Sequence, residues 1–218
     1  MKVLDLGRME YGECLELQRR LRDERQQGQG EDTLLVVEHP AVATLGRRGT
    51  RDQVFDQSLP VFEIERGGEA TYHGPGQLVL YPIVHLGENS RGVRAWVEHL
   101  EGLLVRLLAD FGIEASGRRD APGVWTKATG KKVASIGIAI QRWVSFHGVS
   151  LNVDMDLREF DRINPCGLGA SVMTTMVKEG ADVDMSSAKA WVLQHAADHL
   201  AAFHSTQNVP VSAQEPVS

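Results

Sequence analysis

Between Gly123 and Asp154 the chain fits three strand-like runs into about thirty residues, and that crowding decides the fold class. GVWT (123–126), TKATGKKVASIGIAI (126–140) and RWVSFHGVSLNVD (142–154) are joined only by TKATGK and by Gln141–Arg142. Links that short cannot hold a crossover helix, so the three runs must pair antiparallel. VASIGIAI carries few polar residues on either face, which predicts a central strand. Strict alternation along it puts Lys132, Ala134, Ile136, Ile138 and Ile140 on one face and leaves Lys131 in the turn.

The remaining segments surround this meander with a mixture of elements. Residues 2–6, 33–38, 61–65 and 77–84 read as strands, and 33–38 (TLLVVE) reads as a buried one. Residues 11–25, 91–111 and 186–203 read as helices; the second has a broad apolar stripe and ends at Gly112. ATLGRRGTRD (43–52) and RGGEATYHGPG (66–76) read as loops, 156–163 as a short helical turn, and NPCGLGA (164–170) as a constrained loop. The expectation is an α+β fold: a mixed, largely antiparallel sheet packed by helices. One domain over 1–205 and a flexible tail over 206–218 complete it.

Composition narrows the chemistry. Among 218 residues the net charge is −6, and the 23 basic residues form no long basic tail, which argues against nucleic acid as a partner. No apolar run suits a membrane span or a secretion signal, so a cytoplasmic location is expected. The two cysteines, Cys14 and Cys166, can build neither a disulfide framework nor a four-cysteine metal site. A P-loop, a GxGxxG turn and an HExxH motif are all absent; His195 and His199 stand four apart without the glutamate of a zinc protease, and no metal is expected.

Cys166 is the candidate nucleophile, held between Pro165 and Gly167 in a turn whose backbone N–H groups could stabilise a thiolate or an oxyanion. A small buried hydrophobe in a turn is the competing reading. Cys14, among glutamates on a helix, reads as packing. Lys132, opening a buried strand, is the candidate base, with a strand-end lysine reaching solvent as the alternative. The loop at 66–76 gathers Arg66, Thr71, Tyr72 and His73 close to Gln77, and His73 or His147 could donate to a carbonyl or tune Lys132.

Those same segments resemble the lipoate–protein octanoyltransferases over residues 4–177. RGGEATYHGPGQLVLY (66–81) looks like the family signature, PGVWTKATGKKVASIGIAI (122–140) like its lysine-bearing strand, FHGVSLNVD (146–154) like its histidine segment and INPCG (163–167) like its cysteine segment. The resemblance implies a fold similar to the biotin/lipoate protein ligase catalytic domain. It implies octanoyl transfer from octanoyl-acyl carrier protein to the lysine of lipoyl domains, in 2-oxoacid dehydrogenase complexes or the glycine cleavage H protein. It further implies an acyl thioester on Cys166, Lys132 as partner, no cofactor and a monomer. Carried over by motif, the substrate-binding positions are Arg47, Arg66, Gly67, Gly68, Glu69, Ala70, Thr71, Tyr72, His73, Gly74, Gln77, Ser135, Ile136, Gly137, His147, Gly148 and Val149. GLGASVMTTM after Cys166 departs modestly from the family pattern, in which a Thr-Ser pair is expected near Thr174–Thr175. Arg47, Arg48, Arg51 and Arg142 are candidate rim contacts for protein partners. An ATP-dependent lipoate or biotin ligase is the alternative, since GRRG (46–49) has some likeness to a biotin ligase adenylate loop.

Overall fold

The computed structural model describes residues 1–87, 92–164 and 170–207. In chain order the strands are β1 (Lys2–Arg8), β2 (Thr33–Glu38), β3 (Val42–Leu45), β4 (Val61–Glu63), β5 (Ala70–His73), β6 (Gln77–His85), β7 (Ala115–Gly117), β8 (Gly123–Thr126), β9 (Lys132–Gln141) and β10 (Val144–Asn152). The helices are α1 (Tyr11–Gln26), α2 (Gly92–Asp110) and α3 (Met185–Gln207). Seven strands form one sheet in the order β1-β2-β6-β10-β9-β8-β7, and β4-β3-β5 form a second. Only the β1–β2 and β3–β4 pairs are parallel among these, so the architecture is the mixed, largely antiparallel α+β one.

Strand alternation sorts the core to both faces of the large sheet. Leu78, Leu80, Val149 and Leu151 meet Leu100, Leu104 and Leu107 of α2 and Val192 and Leu200 of α3. Val79, Tyr81, Leu35 and Val37 point the other way, onto Tyr11, Cys14 and Leu15 of α1. Cys14 is thus a packing residue, and burial pushes its thiol up to about 12. A third cluster, including Ala43, Leu45, Tyr72 and Phe160, fills the small sheet. Among the described residues no helix is long and apolar enough to cross a membrane.

Several local expectations are corrected. Val42–Leu45 is a fully buried strand, not the start of a loop, and Ala70–His73 is a strand inside the supposed excursion at 66–76. Each is four residues long and pairs only with the other or with β4, so neither has a local signal; tertiary contact makes them strands. β7 was likewise hidden in ASG. The last helix runs to Gln207, past the expected tail boundary, and residues 208–218 lie outside the described residues. The β9–β10 turn is Arg142–Trp143 rather than Gln141–Arg142; both have positive φ, 45° and 64°, as a primed two-residue hairpin turn requires.

Two irregularities matter more. Val124 pairs with Ala134 but Trp125 pairs with Lys132, so Val133 is an extra residue in β9. Val133 and Ala134 both join the α2–α3 core, and Lys132 is turned to the opposite face, against the expectation that it shares a face with Ala134 and Ile136. The second is at Pro82, which cannot donate to a ladder in the middle of β6. Ser145 pairs with Val84 and Val149 with Leu80, which sets His147 opposite that proline. Here β10 breaks step: His147 takes φ 56°, and its N–H donates to Gln18 Oε1 of α1 at 3.1 Å.

Candidate active site

A cavity of about 400 Å³ lies between the large sheet, the small sheet and the N-terminus of α1, within the size range of small-ligand sites. Lys132 lines it and is only 8% exposed. Its stem lies against Gly123, where a Cβ would stand 2.5 Å from Lys132 Cε, so a side chain at Gly123 would displace the lysine. Lys132 Nζ stands 5.6 Å from the centre of the Trp125 ring, a cation–π contact. Trp125 is itself fixed by its indole N–H to the Ala121 carbonyl at 3.0 Å. Behind it, Glu101 of α2 accepts the Gly123 N–H at 3.1 Å; burial pushes this carboxyl up, and the Lys132 charge opposes that. On its other side the Lys132 carbonyl accepts the Thr174 N–H at 2.9 Å, and Lys132 bridges to Met173.

The loop after β4 closes the opposite wall. Arg66 Nη2 donates to the Thr44 carbonyl at 2.7 Å, and its Nη1 to the Gly67 carbonyl at 3.0 Å. Gly137 on β9 leaves room for that arginine's stem: a Cβ there would stand 2.8 Å from Arg66 Cδ. The Gly67 N–H reaches across to the Ile138 carbonyl at 3.0 Å, using an acceptor that β8, ending opposite Ser135, leaves open.

Two histidines face this space, and both are held neutral. His73 Nδ1 donates to Gln77 Oε1 at 2.7 Å, and burial, followed by His39, pushes His73 down to about 3. His147 is 1% exposed; burial lowers it too, although Glu65 opposes this. Its Nε2 is 3.4 Å from Glu65 Oε2, longer than a well-made hydrogen bond. The facing His147 ring, and then Arg19 at 3.0 Å, hold Glu65 down to about 2 despite its burial.

The His73 shift has a consequence for stability. Its folded-state value lies below the ordinary 6.5, so the unfolded chain binds the extra proton first. Stability is therefore complete above about pH 6.5 and falls as the pH drops toward about 3. One histidine shifted that far is worth roughly 5 kcal/mol between the two ends of that window. Urea unfolding of wild type and His73→Gln from pH 7 to pH 4 should show the variant losing less stability on acidification. Parallel curves would remove the effect.

Residues 10–197 match the family model described as the lipoyl protein ligase A/B catalytic domain. The octanoyltransferase of Syntrophotalea carbinolica is 44% identical over 196 residues, covering 89% of this chain and 92% of that protein. The octanoyltransferase of Geobacter sulfurreducens is 45% identical over 193 residues, 88% of this chain and 81% of its own. The chain belongs to the octanoyltransferase family. That makes it an acyltransferase of lipoate biosynthesis. Its fold is similar to lipoate-protein ligase A in its crystal structure bound with ATP (TM-score 0.67, 13% identity, 94% of this chain and 84% of that one). It is also similar to the biotin protein ligase of Aquifex aeolicus (TM-score 0.53, 15% identity, 94% and 71%).

Of the positions carried over from the octanoyltransferase motifs, fourteen line the cavity: Arg66 through Thr71, His73, Lys132, Ser135, Ile136, Gly137, His147, Gly148 and Val149. Four do not. Arg47 is replaced at the rim by Arg48. Tyr72 alternates away from the cavity on β5 and donates its hydroxyl to Glu159 Oε2 at 2.7 Å, and Gly74 packs against that ring. Gln77 stands behind His73, where its Nε2 donates to Asn152 Oδ1 at 3.0 Å. Cys166 lies outside the described residues; Asn164 before it is anchored to the Gln53 carbonyl at 2.7 Å, and Met173 after it to Lys132.

Sequence reasoning missed Tyr11, Ile64, Val79 and Tyr81, all of which line the cavity. Alternation from Gln77 onward could have found Val79 and Tyr81. His195 and His199 each bond a backbone carbonyl: His195 Nδ1 donates to that of Trp191 at 2.8 Å and His199 Nε2 to that of His99 at 3.0 Å.

Proposed function

We propose that this octanoyltransferase-family enzyme takes an octanoyl group from octanoyl-acyl carrier protein onto Cys166 and passes it to the acceptor lysine of a lipoyl domain. A 2-oxoacid dehydrogenase complex or the glycine cleavage H protein supplies that domain. The observation that carries the reading is Lys132: a lysine buried in the cavity wall and tied through its backbone to Met173 and Thr174, on the chain returning from Cys166.

In the first half-reaction the Cys166 thiolate attacks the thioester carbonyl. The carrier's sulfur leaves with the proton that Lys132 holds, and a thioester on Cys166 replaces the one on the carrier. Exchanging one thioester for another is close to neutral, so no ATP is needed. In the second, the acceptor lysine enters as a neutral amine and attacks that thioester. Lys132 takes its proton, the amide forms, and Cys166 leaves as thiolate. Backbone N–H groups oriented at the carbonyl would stabilise the oxyanion in both steps, at about 3 kcal/mol per donor. The apolar lining suits an eight-carbon chain, whose burial is favourable by ~0.8 kcal/mol per methylene.

Intact-mass spectrometry tests this. With octanoyl-carrier protein alone the enzyme should gain one octanoyl group; adding a lipoyl domain should return it to its starting mass and move the increment to the domain. An adenylate formed from ATP and octanoate, with no acyl-enzyme from the carrier, would overturn the proposal in favour of an ATP-dependent ligase.

A further inference from the structure

We infer that Val79, braced by Tyr81, is the wall that sets how long an acyl chain the cavity accepts. The inference rests on the transfer reading above and adds to it the selectivity of the same site. Strand register supplies the geometry. Ser135 on β9 pairs with Ser150 on β10, which pairs with Val79 on β6. One step along, Gly137 pairs with Gly148, which the same register sets opposite Tyr81. At these two rungs the face that Lys132 shares carries only serine and glycine on β9 and β10, which rise little above the sheet, and is blocked on β6; His147 enters the cavity just beyond Gly148. Two strand spacings separate the bare β9 edge from that block, about 10 Å, comparable to an extended eight-carbon chain.

The block is stiff. Val79 is 1% exposed and β-branched, so it has few rotamers to yield into. Tyr81 cannot swing aside: its hydroxyl donates to His39 Nε2 at 3.0 Å, and His39 Nδ1 donates to the Met9 carbonyl at 2.8 Å. Gly148 cannot take over the role, because a Cβ there would collide with the Leu80 carbonyl oxygen.

The test is competition among hexanoyl-, octanoyl-, decanoyl- and dodecanoyl-carrier protein, read by intact mass of the acyl-enzyme. Val79→Ala, which opens the wall, should raise the decanoyl-to-octanoyl ratio about tenfold, the effect of roughly two newly buried methylenes. Val79→Ile, which thickens it, should move the preference toward hexanoyl. Opposite shifts in the two variants are not expected from a general loss of stability. Unchanged ratios in both would overturn the inference. A wild-type enzyme that takes no acyl group from any carrier would instead overturn the transfer reading. Calorimetric binding of the free hexanoate-to-dodecanoate series then reads the wall directly, and equal preference in wild type and both variants would overturn it.

Discussion

Serine in place of Cys166 is expected to remove both the acyl-enzyme and net octanoyl transfer, with the fold intact. The substitution changes one atom, sulfur to oxygen, so a missing product cannot be blamed on lost packing. It changes the chemistry in two ways. A serine hydroxyl holds its proton far more tightly than a thiol, and an amine positioned to assist a thiol does not ionise it. The intermediate would also be an oxygen ester, which gives up the near-neutral exchange of one thioester for another. Transfer should fall by at least about 10³-fold, with no octanoyl increment on the enzyme. Retained transfer at more than a few per cent of wild type would rule out the covalent path and favour direct attack by the acceptor amine. Cys14 serves as the internal control: it is fully buried on the sheet-facing side of α1, and Cys14→Ala should leave the acyl increment in place.

How much of this was legible in the sequence follows from which interactions are local. β2, β6, α1 and α2 could be read to within a residue or two, the strands from short continuous apolar runs between turn residues and the helices from their helical spacing. β3 and β5 could not, since each is a four-residue strand held only by its partners in the small sheet, β5 by β3 and β3 by both β5 and β4. The motif residues were found as a set, but sequence could not tell Arg66, which crosses the cavity wall, from Tyr72 and Gln77, which support it from behind. Lys132 was singled out correctly as a buried lysine on the wrong face, because a bulge leaves no mark in a pattern of alternation. His147 was the reverse case. A proline inside the QLVLYPIV strand was in plain view, and its missing donor is why the strand opposite turns a histidine into the site.

The second large effect separates proton transfer from charge at Lys132. Lys132→Met keeps an unbranched apolar stem against Gly123 and Trp125 while removing the amine, so the site should hold its shape. The expected loss is about 10³-fold in transfer, the middle of the range for a general acid–base group. Both half-reactions should suffer, because each needs a proton moved at sulfur or nitrogen, and single-turnover acylation and deacylation can be timed separately. Lys132→Arg decides the cause. A guanidinium retains the positive charge but does not release its proton near neutral pH. If the ammonium acts only by stabilising a thiolate, arginine should restore a substantial part of the acylation rate. If Lys132 carries protons, arginine should be as inactive as methionine in deacylation, where the acceptor amine must lose one. The proton-carrier account predicts the second result; recovery of deacylation to within tenfold of wild type by arginine would reduce Lys132 to a fixed charge.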